Sequence, residues 1–178
     1  MNTVEIREHK TNLKITERQK EILIGLLLGD GHLETQNNGR TFRLKIEHSV
    51  KQLDYTEWLY REFHEWVNGG IYRRKRNDKK DKEHVGFTTY SHPAFRFYAQ
   101  QFYRNGEKIV PEMISKMLSP IALSVWFMDD GSRKSLKHHT YILHTYGFSL
   151  TENQLLKDGL LKRFGIEASV HRNKDIYW

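Results

Sequence analysis

The chain has 178 residues, with 29 Lys and Arg against 22 Asp and Glu, which gives a formal net charge of +7. This length is enough for one ordinary domain, or for two small domains that share a core. The absence of Cys excludes a disulfide scaffold, a thiolate metal site and a cysteine nucleophile. Apolar residues make up 38% of the chain, too many for a disordered protein, and the positive charge favours a polyanionic partner.

The distribution of apolar residues argues against a membrane or secreted protein. No apolar run approaches the roughly 20 residues that span a bilayer. The first residues, MNTVEIREHK, contain acidic side chains and no hydrophobic stretch, unlike a secretory signal. We therefore expect a soluble intracellular protein without a membrane partner, in the cytoplasm or nucleoid, or in an organelle matrix if the gene is organellar.

In the first half of the chain, hydrophobic periodicity predicts alternating helices and strands. Thr16 and Gln19 have the spacing of a capping box, which marks the start of a helix, and this helix should end at Gly31. Alternation of apolar and basic residues predicts a strand at 41–46, and an amphipathic pattern predicts a helix at 51–67. The next predicted elements are two strands around a charged hairpin, at 71–76 and 85–90, and a helix at 91–105.

The second half has its own helix signal. Ser119 is a capping residue, Pro120 occupies the first helical position, and the helix should end at Gly131. The other predicted elements are helices at 112–118 and 151–164, the latter closed by Gly165, and strands at 140–148 and 170–178.

The two halves share an internal repeat. Four residues recur at an offset of one hundred positions, within the same order of helix, acidic terminus, loop, strand, Ser and helix. They are Leu23, Asp30, Gly31 and Ser49, which recur as Leu123, Asp130, Gly131 and Ser149. The pattern predicts a first repeat at 1–106, a linker at 107–118 and a second repeat at 119–178.

The first repeated helix needs a partner on every side. Residues 22–28 are apolar all the way round, which indicates burial on every face. Gly25 and Gly29 lie four residues apart on one side, and a glycine within a helix costs about 1 kcal/mol relative to Ala. That cost is tolerable if the second repeated helix packs there at close range, with Val125 and Asp129 at the equivalent positions.

Side-by-side packing of these helices would bring Asp30 and Asp130 together at the C-terminal ends. The helix dipole is negative there, and paired carboxylates repel each other. A divalent cation removes this conflict, because Mg²⁺ takes one or two carboxylates and completes its shell with water and phosphate oxygens. Such an ion can activate water for phosphodiester hydrolysis. A single Asp-Gly pair after an apolar helix is usually only a cap and turn, whereas two homologous copies favour a shared site.

At these residues the chain resembles the LAGLIDADG homing endonucleases. The nine-residue signature matches LIGLLLGDG at 23–31 and LSVWFMDDG at 123–131, and the segments HSVKQLDYTEWL and HTYGFSLTENQLL also look like the family. The resemblance covers roughly residues 16 to 178 and implies an α+β fold of two pseudo-symmetric αββαββα-type repeats. Their antiparallel saddle-shaped sheets, packed through the two motif helices, would lie in the DNA major groove.

The resemblance also implies the residues of an active site. The last acid of each motif, Asp30 and Asp130, would be catalytic and bind Mg²⁺ or Mn²⁺, and Ca²⁺ could occupy the site without cleavage. The main-chain carbonyls of Gly29 and Asp129 would be further metal ligands. Residues that fall near the positions assisting the attacking water are Glu47 with His48, and Arg133 with Lys134.

The chain departs from the family pattern in two respects. Val125 and Asp129 replace the small residues that the family prefers at the helix contact, and we expect Asp129 to face the active site or solvent, because a buried carboxylate needs a partner. Only 60 residues run from Ser119 to Trp178, so the last strand of the second sheet and the terminal helices are predicted to be missing. Either the chain is a fragment or the second repeat is truncated.

Basic residues concentrate where a sheet could meet nucleic acid. The segment 71–82 has seven Lys and Arg against two Asp, and basic residues alternate with apolar ones in the strand at 41–46. Such a run is usually a solvated loop, but the net charge and the repeat favour contacts to phosphates and guanines. The candidate DNA-binding residues are Arg40, Arg43, Lys45, Arg73, Arg74, Lys75, Arg76, Lys79 and Lys80.

The function predicted from these features is that of a monomeric homing endonuclease, which binds double-stranded DNA and cuts both strands by metal-assisted hydrolysis. One alternative is an intron RNA maturase or a DNA-binding relative that does not cleave. A third possibility, a plain basic structural domain, leaves the two acidic helix ends unexplained.

Overall fold

The computed structural model describes residues 4–75, 83–135, 137, 139–174 and 176–178. The chain forms two compact units. The first unit comprises Met1–Gln19 and Asp30–Phe97, and the second comprises Lys20–Gly29 and Tyr98–Trp178. The first motif helix therefore belongs mainly to the second unit. The repeat boundaries at 106 and 119 follow the sequence pattern, and they stay a prediction.

The elements up to residue 102 are mostly those of the first unit. In chain order they are α1 (Val4–Asn12), α2 (Glu17–Leu28), β1 (His32–Glu34), β2 (Arg43–Ser49), α3 (Leu53–Phe63), β3 (Tyr72–Lys75), β4 (Glu83–Thr88) and α4 (Arg96–Phe102). Short 3-10 helices, at Val50–Gln52, His64–Trp66 and Pro93–Phe95, adjoin α3 and α4.

The second unit continues with short strands and three helices. They are β5 (Tyr103–Arg104), β6 (Glu107–Lys108), α5 (Ile114–Met117), α6 (Pro120–Asp130), β7 (Gly131–Arg133), β8 (Tyr141–Leu143), α7 (Leu150–Phe164), β9 (Arg172–Asn173) and β10 (Ile176–Tyr177). None of the helices in the described part of the chain is long and apolar enough to cross a membrane.

The first unit is organised by an antiparallel sheet in the order β1-β2-β4-β3. Leu44, Ile46 and His48 of β2 are buried, and the residues between them are half-exposed. The buried face packs against α3, which buries Leu59 and Phe63. Alternation along each strand therefore separates an inward face, directed at the core, from an outward face.

The second unit has an antiparallel pair, β7 with β8, directly after α6, as β1 and β2 follow α2. The α+β class with antiparallel sheets is therefore confirmed. Helix α7 begins with the capping box of Ser149 and Glu152 and ends at Gly165, whose φ of 66° is left-handed. The predicted starts of α6 at Ser119-Pro120 and of α7 are confirmed.

Several predicted element boundaries are wrong. The predicted strand at 41–46 is β2, which begins at Arg43 and ends at Ser49, and the predicted strand at 140–148 contains only β8. The predicted helix at 91–105 ends at Phe102, because Asn105 and Gly106 have φ values of 53° and 85° and turn the chain into the β5–β6 hairpin. Asn-Gly is the sequence that a two-residue hairpin turn favours.

Candidate metal centre and nucleic-acid interface

Within the second unit, residues of the second motif helix pack closely against the two glycines of the first motif helix. A Cβ added to Gly25 would overlap the Ala122 main-chain oxygen and lie 2.7 Å from Val125 Cβ. A Cβ added to Gly29 would overlap the Asp129 carboxylate. The predicted close packing at both glycines is confirmed. The larger residues of α6 are tolerated because they occupy space that the glycines leave open.

The acids at the end of α6 have different surroundings. Asp129 is half-buried, and its carboxylate lies against Gly29, so it is directed at the C-terminal end of α2. Asp130 is also half-buried, and its main-chain oxygen accepts a hydrogen bond of 2.9 Å from the His144 nitrogen. Two consecutive carboxylates therefore lie where the partial charge of the helix is negative.

A lysine that sequence reasoning missed contacts the first motif. Lys108 Nζ donates a hydrogen bond of 2.6 Å to the carbonyl oxygen of Gly29. This carbonyl is one of the atoms expected to bind metal, and a cation is favourable at the C-terminal end of α2. The Asn105-Gly106 turn was the available signal, because it predicts a hairpin whose second strand carries Lys108.

In the first unit, Asp30 is exposed and its charge acts on the buried His48. Burial lowers the pKa of His48 below its ordinary value, and the Asp30 charge offsets part of that effect. His48 Nδ1 lies 2.9 Å from Thr56 Oγ1, whose own proton goes to the Gln52 carbonyl oxygen. Nδ1 is therefore the protonated nitrogen, and Nε2 is the basic nitrogen of the neutral ring.

Glu47 and His48 are neighbours in sequence, but they lie on opposite faces of the sheet. His48 is on the inward face, whereas Glu47 is on the outward face, where Arg74 and Tyr72 bind its carboxylate. The other pair expected to assist the attacking water, Arg133 and Lys134, is exposed at the end of β7.

The candidate DNA-binding residues divide between the two faces of this sheet and its loops. Arg43 and Lys45 are outward on β2, and Arg43 is paired with Glu34 at 2.7 Å. Arg74 is also outward, whereas Arg73 faces the core side, because it stands opposite the buried Val85. The remaining candidates are Arg40 and Lys75, which are exposed, and Arg76, Lys79 and Lys80, which lie outside the described residues.

The donor groups near the motif ends fit a hard divalent cation. Asp30 in the first unit, and Asp129 and Asp130 in the second, offer carboxylate oxygens, and the Gly29 carbonyl offers another oxygen. Mg²⁺, Mn²⁺ and Ca²⁺ prefer such oxygen donors, whereas zinc sites are built from Cys and His. Within each unit, the oxygen donors are therefore of the kind that a magnesium-type cation prefers.

The two motif helices end in acidic residues and pack together at glycines, and the sheet carries basic residues on its outward face. These features are typical of α+β proteins that bind nucleic acid. The model of the LAGLIDADG DNA endonuclease family matches residues 20–178. The chain belongs to this family, and the resemblance found in the sequence is confirmed.

Three comparisons illustrate the relationship. The chain is 30% identical to the probable intron-encoded endonuclease 1 of Wickerhamomyces canadensis, over 98% of this chain and 78% of that protein. It is 29% identical to the cytochrome b mRNA maturase bI2 of Debaryomyces hansenii, over 90% of this chain and 62% of that protein. The solved structure of the homing endonuclease I-WcaI bound to its DNA recognition sequence superimposes with a TM-score of 0.89 and 27% identity, over 99% of this chain and 80% of that one.

Proposed function

We propose that this protein is a site-specific endonuclease that cuts both strands of a DNA duplex with the help of a divalent metal ion. The observation that carries the proposal is the contact between Gly29 and the Asp129 carboxylate. The contact fixes the register of the two motif helices, because the absent side chain of Gly29 accommodates Asp129. Asp30 is the next residue after Gly29, so the acid of the first motif follows this contact directly.

Asp30 and Asp130 are the proposed metal-binding carboxylates, with the main-chain carbonyls of Gly29 and Asp129 as further ligands. A bound Mg²⁺ or Mn²⁺ would supply an activated water and neutralise charge on the leaving oxygen. Ca²⁺ would fill the same oxygen ligands without supporting cleavage. The hard oxygen donors described above support this choice of ion.

Two further residues are suited to the hydrolytic step. Lys108, held at the Gly29 carbonyl, places a positive charge near the end of α2, where it can stabilise a phosphate that gains charge in the transition state. His48 presents a neutral ring with Nε2 as its basic atom, and a lowered pKa keeps the ring neutral at physiological pH. Nε2 is buried, and a water that reached it could transfer a proton to it.

We also propose that the outward face of the β1-β2-β4-β3 sheet contacts the duplex. Arg43, Lys45 and Arg74 lie on this face, and the net charge of +7 supports a polyanionic partner. Arg73 lies on the opposite face, so the proposed DNA surface does not include it. Because both motifs lie in one chain, a monomer contains both acids. The site of action would be inside the cell, in the nucleoid or in an organelle matrix.

The test of the nuclease is cleavage of a plasmid library of target sites, with Mg²⁺ and with a chelator. Wild-type protein should cut only with the metal, and Asp30→Asn and Asp130→Asn should each abolish cutting. Asp158→Asn is the matched control, because Asp158 is exposed on α7, outside the motifs. Unchanged cutting by either motif variant would refute the assignment of these acids.

A second candidate function, RNA maturation, is favoured by the similarity to a maturase over 90% of this chain. Tight binding of an intron RNA by a protein that cuts no member of the DNA library would favour this alternative over the nuclease.

A further inference from the structure

The outward face of the sheet carries a hydrogen-bonded group of Glu47, Tyr72 and Arg74, which we call the Glu47 cluster. Arg74 Nη2 donates to the two carboxylate oxygens of Glu47 at 2.7 and 2.6 Å, and the Tyr72 hydroxyl donates to Oε2 at 3.1 Å. The three side chains come from β2 and β3, which are separated by β4. The cluster therefore bridges three adjacent strands.

Gly86 of β4 makes this bridge possible. It stands opposite Glu47 on one side and opposite Tyr72 on the other. A Cβ at Gly86 would overlap the Ile46 carbonyl oxygen and lie 2.8 Å from the Tyr72 hydroxyl oxygen. Since Gly86 has no side chain, the Tyr72 ring can lie across β4 and reach the Glu47 carboxylate.

The surroundings of Tyr72 keep its hydroxyl protonated, so it acts as the donor in its hydrogen bond to Glu47. Burial raises the pKa of Tyr72 to about 12, and the neighbouring Glu47 charge acts in the same direction. Tyr72 is therefore a neutral donor at physiological pH. The Glu47 side chain is 13% exposed and the Arg74 side chain 47%, so the acceptor is largely covered while the guanidinium remains accessible.

We propose that Arg74 reads a guanine in the DNA major groove and that Glu47 is the positioning residue that holds its guanidinium in one orientation. The inference rests on the proposed function and on the outward face as the DNA surface. Among the described residues, the hydrogen bonds of Arg74 all use Nη2, so the second N–H of Nη2 can form a two-donor edge together with an N–H of the neighbouring Nη1 or Nε. A guanidinium reads guanine by donating two N–H groups to O6 and N7.

The ion pair with Glu47 also distinguishes base reading from a phosphate contact. A phosphate contact depends on net positive charge and on the release of counterions. The ion pair of Arg74 with Glu47 has no net charge, so this arginine is poorly suited to that role. The same ion pair restricts the rotamers of Arg74, and a side chain that is already ordered loses less entropy when it binds a base.

The experiment selects duplexes by binding from a pool of randomised double-stranded DNA, with Ca²⁺ present, and sequences the bound fraction. Wild-type protein, Arg74→Ala, Glu47→Gln and Arg73→Ala are compared. Arg73 is the matched control, because it is the adjacent arginine on the opposite face of β3. Cleavage of the selected wild-type duplex with Mg²⁺ is measured for every variant.

We expect the wild-type site to contain one position at which Arg74→Ala lowers the preference for guanine by about tenfold or more. Glu47→Gln should lower the preference at the same position and leave cleavage of the wild-type duplex measurable. Arg73→Ala should leave every base preference unchanged.

Three results would overturn the inference. If Arg74→Ala weakens binding to all sequences equally and reduces the salt slope by about 1, then Arg74 contacts phosphate. If Glu47→Gln abolishes cleavage with all base preferences intact, then Glu47 acts in catalysis and does not position Arg74. If wild-type protein enriches no duplex, the proposed function itself fails, and the inference fails with it.

Discussion

The ammonium of Lys108 is hydrogen-bonded to the carbonyl oxygen of Gly29 at 2.6 Å. These residues are 79 positions apart in the chain, and both belong to the second unit. The hydrogen bond places a fixed positive charge one residue before Asp30, at the negative end of α2. Lys108 therefore belongs to the candidate metal centre.

Replacing Lys108 with Met should slow DNA cleavage by about 10²- to 10³-fold, because a preorganised charge next to the reacting phosphate is lost. Binding of the same duplex in Ca²⁺ should change much less. Single-turnover cleavage and equilibrium binding measure the two effects separately. Lys116→Met, at an exposed position of α5, is the control and should cleave normally. A Lys108→Met protein that cleaves at the wild-type rate would exclude this role.

Replacing Gly25 with Ala should destabilise the protein by about 1–3 kcal/mol, because the new methyl group would collide with the Ala122 oxygen and with Val125. The free energy of unfolding in urea measures this change. Gly147→Ala is the control: a Cβ there meets no atom within 4 Å, and the change should stay within about 0.5 kcal/mol. Equal stability of the two variants would contradict the close helix contact.

Stability at acid pH should depend on Glu152. Burial acts to raise its pKa, but hydrogen bonds from Ser149 and from the Val110 nitrogen outweigh burial, and the folded-state pKa lies below the ordinary 4.5. The stabilisation from this carboxylate is therefore complete above pH 4.5 and is lost as the pH falls through the folded-state value. Glu152→Gln should be less stable by about 1 kcal/mol at pH 7, because its hydrogen bonds lose their charge.

The check on Glu152 is urea unfolding from pH 7 down to about pH 3, the range in which carboxylates titrate. The difference between wild-type and Glu152→Gln protein should shrink as the pH falls below 4.5. Glu167→Gln, at an exposed position, should follow the wild type throughout. A difference that stays constant with pH would mean that the charge of Glu152 contributes nothing.

Removal of a single positive charge should change the salt dependence of DNA binding on only one face of the four-stranded sheet. Lys45 is on the outward face of β2, whereas Arg73 stands opposite the buried Val85 on the other face. Lys45→Ala should reduce the slope of log affinity against log salt by about 1, and Arg73→Ala should leave it unchanged. Filter binding over a range of salt concentrations gives both slopes. The reverse result would place the DNA on the face that packs against α3.

The motif helices could be predicted from sequence because their signals are local. Ser119 and Pro120 mark the start of α6, and the glycines of α2 predict the packing that is found at Gly25 and Gly29. Each of these signals depends on residues close together in the chain. The same holds for the end of α7, where Gly165 follows the helix directly and has a left-handed backbone.

Other parts of the site depend on contacts that the sequence pattern does not contain. The position of Lys108 requires the β5–β6 hairpin to approach α2 from 79 residues away. The sequence suggests Glu47 and His48 as one candidate pair, but the alternation of side chains along β2 places them on opposite faces. Only the register with β4 shows that Glu47 meets Tyr72 across Gly86. The register between strands decides which side chains meet in such a cluster, and the hydrophobic periodicity of the sequence does not determine that register.

Anomalous diffraction from crystals of the protein bound to a selected duplex and Mn²⁺ tests whether Asp30 and Asp130 are ligands of catalytic divalent ions. We expect anomalous peaks next to the carboxylates of both residues and next to a phosphate of the duplex. Metal ions coordinated by other side chains, with both aspartates remote from the metal and from the phosphates, would contradict this assignment.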